Sequence, residues 1–124
     1  MLAEAWEPEL LKSNLFDMCY GWETHHIMNR IAKGENTVSE WDKNILENSK
    51  KYESNDISMN FVDNHDENSW NKADYATMPG ASHAPFAVFT QTYNRTMPLI
   101  YSGQEEPVLR PLAFFEKDSI EFNK

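Results

Sequence analysis

The sequence predicts an α/β fold of about four parallel βα units, and three observations lead there. Four short runs are almost continuously apolar, helical patterns lie between them, and three of the runs end in polar residues able to do chemistry. Strands covered on both faces read as unbroken apolar stretches, whereas half-exposed strands alternate. Strands and helices in alternation argue for parallel pairing through crossover helices.

The strand candidates are "MLAEA" (Met1 to Ala5), "LFDM" (Leu15 to Met18), "MNFV" (Met59 to Val62) and "LIYS" (Leu99 to Ser102). After the second, Glu23 to Lys33 puts Ile27, Met28, Ile31 and Ala32 on one helical face, and Gly34 can close the helix in a left-handed conformation. "TVSE" then forms a capping box, with Thr37 as N-cap and Glu40 three residues on; it leads into a second amphipathic pattern through Val38, Trp41, Ile45 and Tyr52. A third helix is expected over Ser82 to Tyr93, with Phe86, Val88, Phe89 and Tyr93 toward the sheet.

With 124 residues, 40% of them hydrophobic and 13% aromatic, one domain with a modest core is expected. No repeat or Gly/Ser linker divides the chain. The net charge of -9, with eleven scattered basic residues, argues against a nucleic-acid partner. A single cysteine, Cys19, excludes an internal disulfide and reads as a small buried hydrophobe. No apolar run approaches the roughly 18 residues of a membrane span, so no membrane partner is expected. No basic-then-apolar leader opens the chain.

In parallel α/β folds chemistry gathers at the carboxyl ends of the strands. Glu4 follows the first run, Asn64, His65 and Asp66 follow the third, and Gly103, Gln104 and Glu105 follow the fourth; Asp17 in the second is a weaker candidate. A carboxylate beside Trp6 is expected to be partly desolvated, which raises its pKa and suits a proton donor. Trp6 and Trp70 flank the two carboxylate sites with faces suited to a sugar ring. Taken singly, each has a plainer reading: a turn-capping Glu, a hydrogen-bonded His-Asp pair, packed indoles. The adjacent His25 and His26 face about 100° apart on a helix, so they read as surface or packing residues rather than a metal pair.

Two reaction classes use such a rim. Glycoside hydrolysis needs an acid for the leaving oxygen and carboxylates for the oxocarbenium charge. Metal-dependent phosphoester hydrolysis would make His65 and Asp66 cation ligands, but Asp63 stands where that signature has glycine and no further His/Asp cluster follows. The carbohydrate site is preferred.

Several stretches together point to a family. "FVDNHD" (Phe61 to Asp66) resembles the strand-seven motif of the α-amylase family of glycoside hydrolases, and "MPLIYSGQE" (Met97 to Glu105) its strand-eight motif. "LAEAW" (Leu2 to Trp6) is similar to the strand-five motif that carries the general acid. "FFEKDSI" (Phe114 to Ile120) is similar to the segment after strand eight. The matches fall in the family's order and span nearly the whole chain.

The resemblance implies a partial (β/α)8 barrel, with residues 1–124 as the C-terminal half of the catalytic barrel and the N-terminal half absent. Glu4 matches the general acid/base, Asp66 the carboxylate that distorts the sugar and stabilises the transition state, His65 a donor to sugar hydroxyls, and Asn64 a support for that geometry. Trp6 and Trp70 are expected to contact substrate. The implied reaction is retaining hydrolysis of α-glucosidic bonds in starch-like glucans or maltooligosaccharides. The family's nucleophilic Asp, with an Arg two residues before it, has no counterpart here, so the chain alone is expected to be inactive. No cofactor is expected in this chain; calcium, which many relatives hold in a domain inserted after strand three, would belong to a full-length enzyme. The expected partners are an α-glucan, the missing half-barrel, and further copies associating through open sheet edges. A non-catalytic glucan-binding remnant is the alternative, and localisation stays open.

Overall fold

The computed structural model describes residues 1–12, 14–71, 83–93, 95–105 and 110–122. The described elements run β1 (Leu2–Ala3), α1 (Glu9–Lys12), β2 (Met18–Tyr20), α2 (Trp22–Ala32), α3 (Val38–Lys51), β3 (Ile57–Phe61), α4 (His65–Trp70), α5 (His83–Thr92) and β4 (Thr96–Leu99). The strands form one sheet in the order β1-β2-β3-β4, every pair parallel. This is the α/β architecture expected from the sequence.

Register sorts the strand residues into rows. Leu2, Met18 and Ile57 form one row and Tyr20, Met59 and Met97 the next, two residues along and hence on the same face. Ala3, Cys19, Ser58 and Thr96 form the row between, which faces the helices: the Thr96 hydroxyl donates to the Thr90 carbonyl of α5 at 3.0 Å. The large apolar residues thus lie on the other face, whose rim end is covered by Trp22 and His25 from the start of α2. There Met59 and Phe61 are buried, but Leu2 and Met97 on the outer strands are 39% and 44% exposed.

The second core sits between helices and sheet, where Met28, Val62 and Phe86 are buried against Ile31, Ala32, Trp41 and Phe89. The α2 stripe reads as expected, and Gly34 closes the helix at φ 75°. Gly21, between β2 and α2, has no room for a side chain: a Cβ there would lie 2.1 Å from Asn60 Oδ1. The Thr37 N–H donates to Glu40 Oε2 at 2.6 Å, the reciprocal half of the predicted capping box.

Six expectations are corrected. The third strand runs over Ile57–Phe61 rather than Met59 to Val62, and Val88, expected toward the sheet, is exposed on the outer side of α5. The second strand begins at Met18 rather than Leu15, because Asn14 at φ 53° turns the chain and Phe16 N–H closes that turn on the Leu10 carbonyl at 3.3 Å. Asp17 therefore precedes its strand and pairs with the N-terminal ammonium of Met1, at the end of the sheet opposite the predicted rim. The fourth strand lies at Thr96–Leu99 rather than Leu99 to Ser102; Pro98, which lacks an N–H, is tolerated on an outer strand. Val38 is exposed and no α3 residue is fully buried, while Tyr52 stands just beyond the helix. The first strand, expected to run from Met1 to Ala5, pairs only over Leu2–Ala3. Ser82, the predicted start of the third long helix, lies outside the described residues.

Candidate functional site

Parallel pairing brings all four carboxyl ends to one rim. Glu4 follows β1 directly, and His65 and Asp66 form the first turn of α4, which follows β3. One donor atom from each of Glu4, His65 and Asp66 lies within 4.8 Å of the others. His65 Nε2 is 3.5 Å from Asp66 Oδ2. Two carboxylates and an imidazole from two strand ends thus converge on one spot.

Glu4 is exposed rather than desolvated by Trp6. The Trp6 ring, 51% exposed, lines a groove with Trp22, Glu23 and His26 instead, and its carbonyl is anchored by the Tyr52 hydroxyl at 2.5 Å. Trp70, 62% exposed, ends α4 with its ring centroid 5.1 Å from that of Phe114. Phe114 also lies 5.7 Å from the His65 ring. The two indoles therefore belong to separate aromatic surfaces, one beside Glu4 in sequence and one beyond His65.

Asn64, expected to support the geometry of that motif, is fully buried. Its Oδ1 accepts the Glu67 N–H at 2.8 Å, making it the N-cap of α4. Its contribution is to aim the helix. The turn after β4 carries Gly103, Gln104 and Glu105; Gln104 folds back so that its side-chain oxygen accepts the Tyr101 N–H at 3.4 Å, leaving Glu105 exposed.

Three functional candidates escaped the sequence reading. Tyr20, at the end of β2, is buried; burial, then the charges of Glu4 and Asp66, raise its phenol above the usual value. Asp63 is buried just before the cap, and burial outweighs the Asn64 N–H bond, so its pKa rises to about 7. Glu67 is buried against His25 on α2, Oε2 to Nε2 at 3.2 Å. His25 is indeed a packing residue, its ring stacked on Phe61 at 4.7 Å, while its neighbour His26 is exposed. The available signal was His25 falling on the stripe of Met28 and Asn29, both buried on α2.

The three rim donors are a set that a divalent cation accepts, though exposed acidic groups often gather without one. Among the described residues no second such group occurs, so a two-cation phosphoesterase centre is not assembled by them.

No protein-family model matches the chain, and no curated protein matches it. Solved structures do. A noncanonic maltogenic α-amylase from Thermotoga neapolitana superposes with a TM-score of 0.74 at 22% identity, over 92% of this chain and 26% of that one. An α-amylase from Lactobacillus plantarum gives 0.71 at 23% identity, with the same two coverages. The chain has the fold of part of an α-amylase. It spans about a quarter of the length of these α-amylases, and the resemblance carried by four short motifs is matched at the level of the fold.

Proposed function

We propose that this chain is the C-terminal half of a retaining α-amylase-like barrel, acting on α-glucosidic bonds of starch-like glucans or maltooligosaccharides. The observation that carries the reading is the convergence of Glu4, His65 and Asp66 at the carboxyl ends of β1 and β3. In this role Glu4 protonates the glycosidic oxygen, and its exposure leaves it open to substrate. Asp66 grips sugar hydroxyls and offsets positive charge at the anomeric carbon, and His65 donates to a neighbouring hydroxyl. Trp6 and Trp70 supply stacking faces on either side.

A retaining reaction also needs a nucleophile about 5–5.5 Å from the acid. No Arg-x-Asp sequence occurs in the chain, so the nucleophile comes from the partner half. The bare apolar rows at Leu2 and Met97 support such a partner, and self-association where it is absent. A monodisperse monomer in analytical ultracentrifugation would count against that part of the reading.

The test is reducing-sugar release from maltoheptaose. The chain alone should release none, and adding the half that supplies the first four strands should restore release that disappears with Glu4→Gln. Release by the chain alone, lost in Glu4→Gln, would refute the need for a partner nucleophile. The exposure of Glu4 favours one second reading, non-catalytic glucan binding; it predicts acarbose binding without turnover even when the partner half is present.

A further inference from the structure

We propose that His25 and Glu67 are positioning residues, a buried polar latch between α2 and α4 that aims His65 and Asp66 at Glu4; the functional side of this proposal rests on the glucan-site reading above. With only six residues, α4 is too short to hold its own orientation, so its tethers decide where its first turn points. One tether is the Asn64 cap. A second runs to the C-terminal segment, where Asn68 Oδ1 accepts the Leu112 N–H at 2.8 Å and the Ser69 hydroxyl donates to the Leu112 carbonyl at 3.1 Å. The third is Glu67, whose Oε2 meets His25 Nε2 at 3.2 Å while Oε1 accepts the Asn71 amide at 2.8 Å.

The third tether is the one that references α4 to the sheet. His25 is itself clamped, stacked on Phe61 of β3 at 26° and edge-on to Trp22 with centroids 6.0 Å apart. Glu67 therefore has a fixed docking point beside β2 and β3. Successive helical residues are separated by 100°, so holding Glu67 inward turns its neighbour Asp66 outward onto the rim. Burying a carboxylate and an imidazole is costly unless they pair, and an apolar pair of equal volume would serve stability as well. What the polar pair adds is direction.

The test uses the full chain and a reporter on a different strand, the side-chain carboxylate 13C resonance of Glu4, alongside thermal melting and acarbose titration. Glu67→Ala, and His25→Phe, which keeps a ring on Phe61, should each displace the Glu4 resonance and weaken acarbose binding about tenfold, the scale of a small misplacement. Glu67→Gln, which keeps the shape and the hydrogen-bonding oxygen, should return both close to the wild-type values. A lowered melting temperature with an unmoved Glu4 resonance would reduce the pair to a brace for the fold, and unfolding of both variants would count the same way. A Glu4 resonance that responds in a chain that does not bind acarbose, even after the half that supplies the first four strands is added, would leave the latch standing and remove the glucan reading.

Discussion

The two sides of α4 make an instructive contrast. His65 and Asp66 face outward onto the rim, exposed and half-buried, with the Phe114 ring beside His65; Glu67 and Asn68, the next two residues, are buried and bonded to two other segments. All four are polar, so composition does not separate them. Rotation about a short helix does, and it places reactive groups in solvent while their neighbours carry the mechanical load.

That contrast can be broken from its base. Asp63 sits under the cap with its pKa raised from 3.8 to about 7. The native state thus holds a proton that the unfolded chain releases, so the contribution of Asp63 to stability should be fully present below pH 4 and be lost as pH rises toward 7. At roughly 1.4 kcal/mol per unit the loss has an upper bound of about 4 kcal/mol. Asp63→Asn, which keeps an oxygen for the Asn64 N–H, should remove the slope: urea melts should match wild type at pH 4 and show a more stable variant at pH 8.

Next in size is Asn68→Ala. It strands the Leu112 N–H and the Arg110 carbonyl and should cost about 2–3 kcal/mol in the same melts. Asn64→Ala removes the N-cap and should cost about 1–2 kcal/mol. The smallest effect sharpens the contrast from the outer side: His65→Ala should change stability by less than about 0.5 kcal/mol, as exposed sites do, while weakening acarbose binding. A His65→Ala variant as destabilised as Asn68→Ala would erase the distinction between the two sides.

The strands were legible as apolar runs, but their limits were not. "LFDM" and "LIYS" each contain residues that lie in turns, while Tyr20 and Thr96, outside those runs, complete the pairing. Apolarity marks burial, and the residues flanking a strand can be as buried as those within it. The long helices were readable because each turns a periodic apolar pattern toward a core, through the buried Met28 and Phe86 on two of them and the half-buried Trp41 on α3. The short α4 was not, since "HDENSW" has no such stripe and is held by hydrogen bonds.

The same division holds for the site. Glu4, His65 and Asp66 could be named from local motifs, because parallel strands send their carboxyl ends to one rim and the polar residues following apolar runs must arrive there. By itself the sequence determined the α/β class, the three long helices and those three rim residues, all of which depend on contacts near in sequence or on repeating patterns. Only the tertiary structure decided that Asn64 is an internal cap, that Trp6 and Trp70 belong to separate surfaces, that Asp63 is forced to hold its proton, and that His25 meets Glu67. Each of these depends on which segments meet in space, and burial and pairing between distant segments leave no periodic trace along the chain.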